Sequence, residues 1–295
     1  MRWLVLASLA FSFALRRVDS WSGTGHMLIA QIAELNLVSS PKVDCAELFV
    51  EAAPWFDDIK AVTHVFDQWH YMDDDQSWLE RFMNLRVPYH RLAVHSLGDH
   101  SGRINTTFRS RSAVFRAASA SAVGAPNVVF AISGLQKALH SEVPLIHSFA
   151  QCALIHLVGD IHQPLHCIGH GDRGGNDFHL HGPHKNLHAL WDDGLGFFRH
   201  TLERPLSQES LDYLRTTAGA IMDAFPLQQL QHPQSADPSA WAKESHTIAV
   251  ENVYRGISMN EAPSDAYLKN NEAVVKRQLA TAGYRLAAMF ANVVA

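Results

Sequence analysis

His156-Leu157-Val158-Gly159-Asp160-Ile161-His162-Gln163-Pro164-Leu165-His166 carries a fold signal and a chemical signal in one stretch. As a fold signal it ends an apolar run that Pro144 can open at a first helical position and Pro164 can stop. As a chemical signal, His156 and Asp160 are spaced i, i+4. On a helix that puts them one turn apart on one face, where they can share a metal ion. His162 lies six residues from His156 and points away from that face. The break at Pro164 frees His166 to reach a second ion. An isolated His/Asp pair at this spacing is more often a capped or solvated pair, so the argument depends on what surrounds it.

Working outward, Asn186-Leu187-His188-Ala189-Leu190-Trp191-Asp192 repeats the i, i+4 pairing through His188 and Asp192. Upstream, Trp55-Phe56-Asp57 and His70-Tyr71-Met72-Asp73 add carboxylates and an imidazole, and Trp21-Ser22-Gly23-Thr24-Gly25-His26 adds another imidazole. Imidazole and carboxylate are the usual donors of catalytic zinc sites. A free α-amine at Trp21 could chelate a metal together with its own carbonyl, but only if the preceding peptide bond is cut. Histidine is abundant, with 19 copies in 295 residues, which is a compositional sign of metal binding.

Residues 1–20 read as a secretory signal, with Arg2 as the charged start, an apolar segment from Trp3 to Leu15, and small residues Val18 and Ser20 before the cut. A membrane anchor would need about 20 apolar residues, so cleavage before Trp21 and secretion are expected. Arg16 and Arg17 depart from the ideal pattern. No later segment reads as a membrane span. Asn105-Thr106-Thr107 is a glycosylation sequon on the same route. Cys45, Cys152 and Cys167 allow a disulfide bond, and their odd number leaves the pairing open.

Hydrophobic residues make up 47% and charged residues 18%, which implies a packed core and not disorder. The net charge of −5 excludes phosphate binding by a broad basic surface, so local charge, such as bound metal, must supply it. Helical spacing dominates. Leu28, Ile29, Ile32 and Leu35 mark an amphipathic first helix, Asp237-Pro238 opens one through Trp241 to Tyr254, and a last helix runs from about Ser264 to Asn292. Ile168 to Lys185, rich in Gly, His and Asp, reads as loop. Trp191 and Trp241 read as core. Residues 21–295 form one mainly helical domain.

Taken in order, these segments resemble the nuclease S-one/nuclease P-one family of trinuclear-zinc, single-strand-specific nucleases. The motifs that carry the resemblance are Trp-x4-His, Trp-x-Asp, His-aromatic-x-Asp, His-x3-Asp-Ile-His-Gln-Pro-Leu-His, Gly-Asp-x-Gly-Gly-Asn and Asn-Leu-His-x2-Trp-Asp. The resemblance implies the helical fold shared by zinc nucleases and zinc phospholipases C, and three zinc ions. One ion would take Asp57, His70, His156 and Asp160. A second would take Trp21, His26 and Asp160, making Asp160 a bridge. The third would take His166, His188 and Asp192. His64 and His162 match no ligand position. The implied activity is endonucleolytic hydrolysis of single-stranded DNA and RNA to 5′-phosphorylated products, with 3′-nucleotidase activity on 3′-nucleotides, by a monomer with no stable protein partner. Tyr71 matches an aromatic that stacks on a base, although it reads equally well as core. Asp73 is a candidate for contacting the base or the attacking water.

Two departures stand out. Lys60 replaces an arginine near the phosphate, which keeps charge but loses the bidentate fork. Asp193 adds a carboxylate after the final ligand, where it could repel phosphate. Two rivals stay open at this level: a zinc phospholipase C, whose ligand set usually ends in Glu where this chain has Asp192, and a secreted zinc-binding protein without catalysis.

Overall fold

Helical spacing becomes helix in the computed structural model, which describes residues 21–37, 49–72, 126–198 and 201–291. Residues 1–20, Cys45, Asp73 and the Asn105 sequon lie outside this set. Helix α1 is Gly23–Leu37, α2 is Trp55–Ile59, α3 is Val128–Ala138 and α4 is Pro144–Asp160. Then come α5 (Leu187–Asp192), α6 (Gln208–Ala224), α7 (Pro238–Ile248) and α8 (Asp265–Ala291). Among the described residues, extended pairing is confined to one antiparallel bridge between His179 and Asn186.

The first helix is not amphipathic, as its spacing suggested. Every residue from Thr24 to Ala33 is buried, because α4, α6 and α8 pack around it, while Leu35 is 38% exposed. A helix that is apolar on all sides belongs in the core, and α1 is the axis of this one. It carries His26 into the interior with it.

Helix starts follow their capping chemistry. Pro144 occupies the first turn of α4, where its missing N–H costs nothing. Asp237 caps α7 by accepting a bond from the Ser239 N–H at 2.9 Å. Helix α7 continues through a π-helical segment, Ala249–Val253. The end of α4 differs from expectation. The helix stops at Asp160, four residues before Pro164, and Gln163 is extended (φ −82°, ψ 113°). The clash with the proline ring disfavours helical geometry in the residue before it, so Pro164 acts backward on Gln163 and the chain turns at 161–163. Pro164–Cys167 then forms a single 3-10 turn.

An aromatic cluster fixes the short helices against α4. Phe56 is buried and lies 5.5 Å from Phe66 between ring centres, and Phe66 lies 5.6 Å from Phe149 of α4. Trp191 and Trp241 are fully buried, as expected, and each indole N–H has a partner: Tyr267 Oη at 2.8 Å and the Ser235 carbonyl at 3.2 Å.

Candidate metal centre

Three elements bring the first ligand group together. Helix α4 carries His156 and Asp160, α1 carries His26, and the aromatic cluster places Asp57 of α2 and His70 beside them. His156 Nδ1–H donates to the Ala53 carbonyl at 2.8 Å, which turns Nε2 inward. That nitrogen lies 3.3 Å from Asp57 Oδ1 and 3.3 Å from Asp160 Oδ2. The other Asp160 oxygen lies 3.3 Å from His26 Nε2, and His70 Nδ1 sits 2.8 Å from Asp160 Oδ2. His26 and His156 stack at 3.8 Å. Gly159 permits this packing: a Cβ there would stand 2.7 Å from His26 Nδ1. His26–His156–Asp160 and Asp57–His70–His156 are each compact enough to hold one ion.

Electrostatics distinguish the imidazoles. Burial and the neighbouring His156 lower His26 to about 4, and burial lowers His70. Burial alone would lower His156, but the Asp160 and Asp57 carboxylates outweigh it and raise this residue to about 10. Burial disfavours the Asp57 and Asp160 charges, yet contact with His156 holds both well below the usual carboxylate range. Two carboxylates in a dry site create a negative potential that favours a cation at its centre.

The second group is His166, His188 and Asp192. His166 Nδ1–H donates to the His70 carbonyl at 2.7 Å, and Met72 N–H returns a bond to the His166 carbonyl at 2.7 Å. His188 Nδ1–H donates to the Gly174 carbonyl at 2.6 Å. The two Nε2 atoms therefore face each other at 3.2 Å, with Asp192 Oδ2 3.5 Å from His188 Nε2. With both Nδ1 atoms on backbone carbonyls, both Nε2 atoms are turned to the same point, and burial keeps His166 neutral. That arrangement suits a proton or a metal ion. Anchoring each imidazole through its other nitrogen is the usual support for a metal ligand. The donor set, the burial and the converging ring nitrogens fit a divalent ion such as zinc at both groups.

The loop between His170 and Gly182 provides the His188 anchor. Gly174 has φ +62°, and a Cβ there would stand 2.4 Å from the Leu165 carbonyl, so only glycine fits. Asp172 shapes the same turn, accepting from Gly175 N–H at 2.8 Å and from Tyr254 Oη–H at 2.9 Å. The Gly-Asp-x-Gly-Gly-Asn motif is thus a turn that presents a carbonyl to a ligand.

The sequence did not reveal what braces the 161–163 turn. Ser245 Oγ–H donates to the Ile161 carbonyl at 2.6 Å and Gln278 Nε2 to the His162 carbonyl at 2.9 Å. His162 is no ligand: Nδ1–H donates to Val158 O at 2.7 Å, and Nε2 accepts from Arg285 at 2.9 Å. Burial and Arg285 keep this ring neutral. Arg285, fully buried on α8, also pairs with Glu244 at 2.7 Å. These partners lie about 80 to 120 residues away in sequence, and no local spacing announces them.

The remaining candidates fall around the groups. Trp21 is fully buried, with its indole N–H on the Gly159 carbonyl at 3.1 Å, and Ser22 N–H binds the Asp192 carbonyl at 2.7 Å. The segment beginning at Trp21 is therefore tied to both ligand helices. Lys60 Nζ is 2.8 Å from Asp57 Oδ1, and its charge reaches His70 and His166, beside both groups. Tyr71 is 37% exposed, so it is a surface aromatic beside a ligand and not a core residue. Asp193 pairs with His184 Nε2 at 3.0 Å. His64 pairs with Asp67 at the surface at 2.9 Å, outside the groups. Cys167 is buried, its thiol on the Ile161 carbonyl at 3.5 Å. No helix among the described residues is long and apolar enough to cross a membrane.

Comparison with known proteins places the chain in a family. A family model described as S1/P1 Nuclease matches residues 21–295. Endonuclease 2 of Arabidopsis thaliana is 25% identical over 300 residues, covering 97% of this chain and 94% of its own. Endonuclease 3 of the same plant is 32% identical over 142 residues, covering 45% of this chain and 47% of its own. Nuclease S1 of Aspergillus oryzae is 28% identical over 152 residues, covering 46% and 50%.

Proposed function

The chain belongs to the S1/P1 nuclease family, and on that footing we propose that it is a zinc-dependent endonuclease of single-stranded DNA and RNA. Its products would carry 5′-phosphates, and 3′-nucleotidase activity would come from the same site. The family supports the hydrolytic nuclease activity itself. The observation that carries the finer reading is the clustering of three His/Asp groups, two of which share His156.

Three zinc ions are assigned to Asp57, His70, His156 and Asp160; to Trp21, His26 and Asp160; and to His166, His188 and Asp192. Zinc bound there would polarise a phosphodiester oxygen and lower the pKa of a water it holds. The chain's own contribution is positional. Backbone carbonyls of Ala53, His70 and Gly174 fix the protonated Nδ1 of His156, His166 and His188, so each ring turns Nε2 to the site. Asp57 and Asp160 supply the anionic charge that retains cations. The Lys60 ammonium, beside Asp57, meets the substrate phosphate. Tyr71, exposed next to His70, offers a ring on which an unpaired base can stack, a contact that a paired base cannot make. Asp73 is assigned to the base or the water. Export and cleavage before Trp21 complete the reading.

The test is metal analysis of the purified protein alongside hydrolysis of single-stranded DNA, double-stranded DNA and phosphatidylcholine. Three zinc ions with selective cleavage of single strands are expected. Lipid hydrolysis without DNA cleavage would replace the reading with a phospholipase C, and zinc binding without any hydrolysis would replace it with a storage protein. Tyr71→Ala should raise KM on single-stranded DNA about tenfold, in line with roughly 1–3 kcal/mol per stacked base.

A further inference from the structure

We infer that Gln163 is a positioning residue for the Asp192 carboxylate, fixing one of its oxygens so that the other is presented to the metal held with His166 and His188. The inference rests on the metal reading above. Gln163 is fully buried. Its Oε1 accepts the Leu165 N–H at 2.6 Å, and its Nε2 donates to Asp192 Oδ1 at 2.6 Å. The two bonds determine the amide's orientation, since a flipped amide would set oxygen against carboxylate and NH2 against N–H. The bond to Asp192 is short and charge-assisted, and it leaves Oδ2 toward His188.

The backbone of the same residue spans both ligand groups. Gln163 N–H donates to the Asp160 carbonyl at 2.9 Å, and its own carbonyl accepts from His166 N–H at 3.0 Å. One residue thus links the last ligand of the first group, the first ligand of the second, and the carboxylate that completes it.

The variants Gln163→Glu and Gln163→Met separate the two side-chain bonds. Gln163→Glu keeps an acceptor for Leu165 but sets a carboxyl against Asp192, whereas Gln163→Met removes both bonds. Zinc alone is titrated into the metal-stripped mature protein beginning at Trp21, with chelator competition to rank affinities. One zinc equivalent should weaken about 10- to 100-fold in either variant, the range for lost outer-shell partners, with the other equivalents unchanged. In an Asp192→Ala background, Gln163→Met should weaken zinc no further, because there is no carboxylate left to position. Unchanged zinc affinities with only a lower Tm would overturn the proposal and leave Gln163 as a cap for the Leu165 turn. Additive losses with Asp192→Ala would also overturn it. If one single variant fails to fold, the other carries the measurement. A wild-type protein that takes up no zinc would instead bring down the metal reading itself, and this proposal with it.

Discussion

The two ligand groups use the same side chains, yet His156 of the first and His166 of the second are shifted in opposite directions. In the first, His156 faces two carboxylates and is raised to about 10. In the second, His166 is lowered to about 3, chiefly by burial, with the Asp160 charge too weak an offset. Both rings are buried and both donate Nδ1–H to a carbonyl. The difference lies in how many carboxylates face Nε2. Desolvation penalises a charged imidazole everywhere, and only direct carboxylate contact reverses it. In the first group the carboxylates on His156 therefore hold positive charge, while burial in the second keeps His166 neutral. Their construction differs too. Helices α1 and α4 deliver three of the five ligands of the first group, whereas the second depends on a turn, a glycine loop and the short α5.

The largest test of this comparison is to neutralise one carboxylate of each group in turn. Asp160→Asn should depress single-strand cleavage by more than about a hundredfold, beyond the cost of losing an outer-shell partner, and should strip zinc from the first group. Asp192→Asn should empty only the second. Equal metal loss in the two variants would erase the distinction between them.

Arg285 probes the brace that holds the groups in register. Arg285→Met leaves the buried His162 Nε2 and the partly exposed Glu244 without their partner and should cost about 1–3 kcal/mol, chiefly for the buried acceptor left unsatisfied. Denaturant unfolding measures it, and a loss within about 0.5 kcal/mol, typical of surface substitutions, would refute the brace.

The pH response should separate His156 from the lowered rings of both groups in the metal-free protein. His26, at about 4, and His166, at about 3, bind fewer protons folded than unfolded, where histidine titrates near 6.5. Stability should therefore fall as pH drops below about 6.5, by roughly 2–3 kcal/mol per pH unit near pH 5 from these two rings. His156 has the opposite sign. Its contribution is complete below about 6.5 and fades as pH rises through about 10. A melting temperature that stays flat from pH 7 to 5 would contradict the first statement. Zinc binding at neutral pH should release a proton from His156 but none from His166, and calorimetry in buffers of different ionisation enthalpy detects the difference.

The smallest expected effect is at Lys60, which serves the first group through Asp57. Lys60→Ala should lower turnover roughly fivefold, the equivalent of about 1 kcal/mol for a partly screened pair, while Lys60→Arg keeps it. Identical kinetics for wild type and Lys60→Ala would make it a bystander.

What the sequence determined by itself was whatever local spacing encodes. His156 and Asp160 stand one turn apart because α4 is a helix, and His188 and Asp192 do so on α5. Pro144, Asp237 and Pro238 mark helix starts through capping geometry that involves only neighbouring residues. Matching of motifs in order added Asp57, His70 and His26, which no single spacing would supply. Tertiary structure decided the rest. Only packing against α4, α6 and α8 turned α1 from an amphipathic helix into the buried axis. Only folding could show that His162 is held by Arg285, that Asp193 is engaged by His184, and that Gln163 reaches Asp192. These contacts join residues distant in sequence through single buried hydrogen bonds and ion pairs. Such bonds leave no periodicity, because periodicity records which face of an element is buried and not which polar partner waits there.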